Sequence, residues 1–279
     1  MIHFTKMQGV GNDYVYINSL TEQIADYSEA ARLLSNRHYG VGSDGLVIIM
    51  PSETCDFRMR MFNSDGSESE MCGNASICVA KYVYDKGLTN NLTLTLETLA
   101  GDKSMELFLE KGEVSDVRVD MGEPILECKN IPVNYSEQTM ISKPIKANGQ
   151  TWTVTALSMG NPHIVIFTKD VFNLDLRKIG PLLEHHELFP NRTNVQFVEV
   201  LSEKEINVVI WERGAGETLA SGTGACASVV ASVLNGYSES SVIVHQLGGD
   251  LFIEWDQESN HVFMTGRGET VFEGITEKV

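Results

Sequence analysis

The sequence predicts an α+β fold of two homologous halves, each made mostly of short strands with one strong helix. Three observations predict it: segments recur at one fixed spacing, strand-like runs alternate with period two, and two apolar helical runs each follow a glycine-containing turn.

The repeat comes first. Gly11-Asn12-Asp13-Tyr14-Val15-Tyr16-Ile17 matches Gly160-Asn161-Pro162-His163-Ile164-Val165-Ile166, and the turn ending Cys72-Gly73-Asn74 matches the one ending Ser221-Gly222-Thr223. Both spacings are 149 residues (12 to 161, 72 to 221). The same shift carries the strand-like run 56–62 onto 205–211, Asn63 onto Glu212, and Leu46-Val47-Ile48-Ile49 onto Val195-Gln196-Phe197-Val198.

The helices follow the turns. One is expected over Asn74 to Asp85, stopped by Gly87, and one over Thr223 to Leu234, stopped by Gly236. The second is apolar all round, which predicts a central, buried position. Segment 93–121 and the run from Val242 to Glu254, with a turn at Gly248-Gly249, read as alternating strands. The first half is expected over residues 1–122 with 266–279 returning to it, and the second over 123–265. Their junction falls near Gly122 to Pro132, and a ligand site is expected where the two halves meet.

Composition narrows the function. Hydrophobic residues at 42% and charged residues at 21% suit a chain that buries a core. A formal charge of −17 disfavours nucleic acid and anionic membrane surfaces as partners. The first residues lack a charged start followed by an apolar stretch, and no apolar run approaches membrane-spanning length, so a cytoplasmic protein is expected. Five cysteines (Cys55, Cys72, Cys78, Cys128 and Cys226) argue against a disulfide framework, and none has zinc-site spacing, so no metal is expected.

Cys72 lies immediately before a helix, where free backbone N–H groups lower a thiol's pKa and can hold a carboxylate. Taken alone it reads more readily as an inert buried cysteine, the commoner role for a single cysteine. The repeat adds a second side chain, at 221, in the matching turn. Two such groups on opposite faces of one carbon suit stereoinversion: one removes the α-proton and the other delivers a proton, without a cofactor.

The stretches 6–13, 38–45, 61–67, 71–74, 158–163, 191–195, 211–220 and 222–226 together resemble diaminopimelate epimerase, in the family's order and over nearly the whole chain. The resemblance implies halves that are each a curved, mostly antiparallel sheet around a central helix. It implies catalytic roles for Cys72 and position 221, with His163 and Glu212 tuning them. It implies a carboxylate clamp of Gly73, Asn74, Gly222 and Thr223, and a pocket lined by Asn12, Asn63, Asn161, Asn194, Glu212 and Arg213. Arg213 would take a distal carboxylate through a two-pronged pair. It also implies a small-molecule amino-acid substrate, no cofactor and a homodimer. The bland readings remain beside these: Asn12 and Asn161 as turn residues, His163 as a satisfied core histidine, Arg213 as a surface cation. Cys55, Cys78, Cys128 and Cys226 read as small packing residues.

The chain departs from the family pattern at three places. Ser221 stands where the second cysteine is expected, and a hydroxyl is a poor base and poor proton donor at neutral pH. It reads as a Cys→Ser change, made to trap a ligand or naturally arisen, that impairs turnover. Ile77 replaces an arginine, and Met264-Thr265-Gly266-Arg267-Gly268 replaces the usual Thr-Gly-Pro-Ala. Losing a cation weakens the case for a doubly acidic substrate, so a same-fold racemase of another amino acid, such as histidine, stands as the alternative. A non-catalytic amino-acid-binding relative is the other.

Overall fold

The structure, a computed structural model, describes Met1–Val279. The chain divides into two compact units, Met1–Asp120 with Thr265–Val279, and Met121–Met264.

In the first unit the elements are β1 (Ile2–Gly9), β2 (Asn12–Asn18), α1 (Tyr27–Ser35), β3 (Gly45–Met50), β4 (Phe57–Asn63), β5 (Glu68–Ser69), α2 (Gly73–Asp85), β6 (Thr93–Glu97), β7 (Lys103–Glu110) and β8 (Glu113–Asp120), with a last strand at Glu269–Thr276. That last strand lies antiparallel on β1, pairing Ile2 with Thr276 and Gln8 with Glu269. From β1 the sheet runs β1-β2-β3-β4-β6-β7-β8; β2–β3 and β4–β6 are parallel and the other pairs antiparallel. β5 flanks β4.

The second unit holds β9 (Lys143–Ala147), β10 (Gln150–Ser158), β11 (Pro162–Phe167), a 3-10 turn at Val171–Asn173, α3 (Leu176–Glu184), β12 (Asn194–Ser202), β13 (Glu205–Glu212), β14 (Gly216–Thr218), α4 (Gly222–Leu234), β15 (Ser241–Gln246) and β16 (Gly249–Trp255), followed by β17 (Val262–Gly266) at the unit boundary. Its sheet order is β9-β10-β11-β12-β13-β15-β16, with β11–β12 and β13–β15 parallel, the rest antiparallel, and β14 flanking β13. The two units therefore share one topology. Both bounds of α4 lie 149 residues after those of α2 (73 to 222, 85 to 234).

The expected helices form, each starting one residue earlier than the sequence indicates and ending where expected. Two more, α1 and α3, were not expected, and the burial of the strands explains them. Leu46, Val47, Ile48 and Ile49 are all fully buried, so β3 is covered on both faces. Along β2 the faces alternate. Val15 and Ile17 cluster with Ala30, Ala31 and Leu34 of α1, while the Tyr16 hydroxyl reaches the Ala75 carbonyl of α2 at 3.5 Å. α1 thus covers one face and α2 the other. In the second unit Ile164, Ile166, Val195, Phe197 and Val209 cluster with Leu176 and Leu183 of α3, and α4 packs on β10 to β13, β15 and β16.

The local signals for the extra helices are uneven. At α1 the Asp26 side chain accepts from the Glu29 N–H at 3.0 Å, an N-cap contributing about 1 kcal/mol. α3 carries Gly180 and Pro181 inside it. Gly180 is required by packing, because a Cβ there would lie 2.4 Å from the Trp211 ring.

Candidate active site

The site builds from the two buried helices. Cys72 is the N-cap of α2 (φ −137, ψ 122) and Ser221 the N-cap of α4 (φ −142, ψ 122), so the two turns have the same backbone. In each helix the first intrahelical N–H to find a partner belongs to a later residue: Ser76 donates to Cys72 O and Ala225 to Ser221 O, both at 2.9 Å. The N–H groups of Gly73 and Asn74, and of Gly222 and Thr223, therefore project from helix ends without an intrahelical partner, with the positive end of the dipole behind them. Asn74 is buried, and its Oδ1 has no hydrogen-bond partner in the chain. The caps differ in one respect. The Ser221 hydroxyl accepts from the Gly224 N–H at 3.3 Å, whereas the Cys72 thiol makes no cap bond.

In the first unit the Cys72 thiol instead donates to Asn12 Oδ1 at 3.2 Å. The Asn12 amide nitrogen donates to Asp44 Oδ2 at 2.7 Å, and the Asp13 N–H joins the same oxygen at 3.1 Å. Arg37 donates to Asp44 Oδ1 at 3.0 Å and to both Asp13 oxygens, at 2.7 and 3.1 Å, and buried Lys6 also pairs with Asp13. Burial alone would raise the Asp13 carboxyl, but Arg37 and Lys6 outweigh it and hold it below the usual carboxylate range. Burial pushes the Tyr14 phenol well above its usual value, and the neighbouring Cys72 adds to this. Asn63, at the end of β4, is exposed and donates to the Ser67 hydroxyl at 3.0 Å.

In the second unit Asn161, the repeat partner of Asn12, donates to the Thr223 hydroxyl at 3.4 Å, and its Oδ1 lies 2.8 Å from His163 Nε2. His163 is fully buried. Burial pushes its imidazole down to about 3, an effect the Gln196 amide opposes and Arg213 reinforces. A neutral imidazole facing a carbonyl oxygen must place its N–H on Nε2. Asn194 spans two backbone groups, donating to Pro162 O at 2.8 Å and accepting from the Arg213 N–H at 2.9 Å. Arg213 is exposed and donates to the Asn191 carbonyl at 3.1 Å; Glu212 accepts from the Thr218 hydroxyl at 2.6 Å.

The structure thus brings Asn12 to Cys72 in the first unit and Asn161, with His163 behind it, to Thr223 in the second, whereas the bonds described for Asn63, Asn194, Glu212 and Arg213 run to other groups. It adds four that the sequence did not flag. Asp44 and Tyr14 lie inside two of the quoted motifs, so their position was visible although their contacts were not. Gln246 accepts the Ser221 N–H at 2.8 Å. The buried Glu184 carboxylate holds the Trp211 Nε1–H at 2.7 Å and the Gly214 N–H at 3.0 Å, bracketing Glu212 and Arg213. No local pattern marks those last two. No group of three or more His, Cys, Asp or Glu side chains is placed to hold a metal ion.

Known proteins match this chain closely. The sequence profile described as Diaminopimelate epimerase matches residues 4–127 and 155–271. A diaminopimelate epimerase of Acetivibrio thermocellus is 56% identical over 273 residues, spanning 98% of both chains. One of Desulfovibrio desulfuricans is 57% identical over 279 residues, spanning 98% of this chain and 97% of its own. Among solved structures, a phenazine biosynthesis protein of Bacillus anthracis superposes with a TM-score of 0.71 at 17% identity over 98% of both chains, a likeness of fold alone. With this profile matched over most of the chain and relatives at this identity spanning nearly all of it, the chain belongs to the diaminopimelate epimerase family.

Proposed function

We propose that the chain is an isomerase acting on free diaminopimelate, interconverting the LL and meso forms by moving one α-proton, with Cys72 as one acid–base group and position 221 as the other. With cysteine at both positions a thiolate takes the α-proton and a thiol delivers one; here position 221 carries a hydroxyl in place of the second thiol. The substrate gains and loses one proton, and no redox partner enters. The observation that carries this reading is the common backbone of the two caps, −137/122 at Cys72 and −142/122 at Ser221, in a member of this family.

The helix starts at Gly73-Asn74 and Gly222-Thr223 supply N–H donors for the α-carboxylate, where charge accumulates as the proton leaves. The orphan Oδ1 of Asn74 is an acceptor suited to an ammonium group. Arg213, with one nitrogen on Asn191 and the rest of its fork exposed, is assigned the distal carboxylate. Its exposure alone would also suit a substrate lacking that group; the identities of 56% and 57% to diaminopimelate epimerases favour diaminopimelate.

Serine at 221 removes one of the two thiols, so the chain as it stands is expected to turn over slowly, and Ser221→Cys to raise turnover on the order of 10²–10⁴-fold, the range of one acid–base group. The test follows LL- to meso-diaminopimelate conversion in D2O by chiral chromatography and mass. Equal rates for the two forms, or α-deuteration of histidine in preference to diaminopimelate, would overturn the assignment. A reducing cytoplasm suits a reaction that depends on thiols, and no helix is long and apolar enough to cross a membrane. The partner assigned is a second copy of the chain, meeting the last strand where Val271, Phe272 and Ile275 are exposed. Sedimentation of the wild type against Phe272→Glu tests it.

A further inference from the structure

We infer that Asp44 is a positioning residue for Cys72: it turns the Asn12 amide so that its oxygen, not its nitrogen, meets the thiol. An amide presents two chemically opposite ends, and which end faces a titratable sulfur decides which form is favoured. An acceptor stabilises S–H; a donor stabilises S⁻. The Asp44 carboxylate oxygen 2.7 Å from Asn12 Nδ2 accepts that nitrogen's hydrogen, so the oxygen is left to take the thiol proton at 3.2 Å. The carboxylate cannot swing away. One oxygen also holds the Asp13 N–H at 3.1 Å and the other holds Arg37 at 3.0 Å, whose second nitrogen anchors on Asp13. Asp44 itself begins the turn into β3: its own N–H donates to the Asp13 carbonyl at 2.7 Å, and its carbonyl accepts from Ser64 N–H at 3.1 Å.

The matching place in the second unit shows what happens without such a carboxylate. Residue 193, which the 149-residue spacing sets against Asp44, is threonine. There the Asn161 oxygen is occupied by His163 at 2.8 Å and its nitrogen is turned toward Thr223, at the start of α4. Two asparagines that correspond in the repeat are thus held in opposite senses, one presenting an acceptor to its helix start and the other a donor. Asp44 makes the Cys72 turn the one that keeps its proton. Around Cys72 the titratable groups of the same unit besides Asp13, Asp44, Lys6 and Arg37 are Tyr14 and Tyr16 on β2 and Cys78 six residues further along α2, these three with values pushed upward by burial.

This inference rests on the assignment of Cys72 as a reacting thiol, but its test needs no substrate. Iodoacetamide alkylation of the full-length protein is followed against pH, with Cys72 read separately by peptide mass spectrometry. Asp44→Asn is expected to lower the Cys72 pKa by about one unit, because the amide is then free to present its N–H to sulfur. Loss of a nearby negative charge would act in the same direction. The control is therefore the pair in an Asn12→Ala background, where Asp44→Asn is expected to move the Cys72 pKa by less than about a third of that. Asp44→Ser, checked by circular dichroism, repeats the comparison if Asp44→Asn does not fold. A shift of equal size in both backgrounds, or no shift with Asn12 present, overturns the inference. Turnover by the Ser221→Cys form fails or succeeds independently of this result.

Discussion

At the scale of single residues, His163 shows how burial decides a role. From sequence His163 reads either as a polar partner that tunes the thiol pair or as a satisfied core histidine. Fully enclosed, and held down to about 3, it stays neutral across the working range and fixes Asn161 through one N–H. Its cost appears in stability. The unfolded chain protonates this histidine below its ordinary 6.5 while the folded chain does not until about 3. Stability is therefore full above 6.5 and drains as pH falls toward 3, at up to about 1.4 kcal/mol per pH unit from this group. Urea unfolding of His163→Gln at pH 7 and pH 5 should show a smaller difference between the two conditions than the parent shows. A parallel dependence would mean that other groups carry the acid sensitivity.

At the scale of elements, the two helix starts are built alike and finished differently, and the difference links activity to stability. The Ser221 hydroxyl caps α4 through Gly224 N–H; cysteine is a weak acceptor and gives that bond up. Ser221→Cys is therefore expected to cost about 0.5–1 kcal/mol while raising turnover, read as a lower urea midpoint at unchanged slope. Gly45, the first residue of β3, permits no such exchange. A Cβ there would lie 2.1 Å from the Phe62 carbonyl oxygen, backbone that cannot yield. Gly45→Ala should destabilise by about 1–3 kcal/mol and disturb the neighbouring Asp44, seen as a lower midpoint together with altered Cys72 alkylation. How much of this was legible follows from where the information sits. The helices after Cys72 and Ser221 were legible because cap, apolar run and glycine stop are adjacent in sequence. α3 was hidden because Gly180 and Pro181 read as breakers, and only the Trp211 ring, distant in sequence, explains the glycine. The Asn12 and Cys72 positions could be read from the repeat. The sense in which the Asn12 amide is held could not, since it depends on Asp44 and Arg37 arriving from another loop.

At the scale of the whole molecule, the repeat is the main economy: one topology, used twice with a spacing of 149 residues through both central helices, brings a cysteine and a serine into identical backbone settings. The units differ in where the strand at one sheet edge comes from: β9 directly precedes β10, whereas residues 269–276 return to β1 from far along the sequence, and Gly274 passes so close to Phe4 that a Cβ would sit 2.6 Å from its ring. Removing residues 268–279 should strip β1 of its partner on one edge and expose Phe4 and Ile2, giving aggregated protein on gel filtration rather than a merely inactive monomer. The pairing of Ile2 with Thr276 also sets an order of events in the cell. As a ribosome makes the chain, β1 can pair with β2 at once, but its other edge waits for residues 269–276, which are made after residues 121–264. Residues 121–264 carry their own strands and helices and are complete in the nascent chain sooner. The edge at residues 2–8 is thus completed after residues 121–264 have been made, and it stays an open margin of the growing polypeptide until synthesis has passed residue 276.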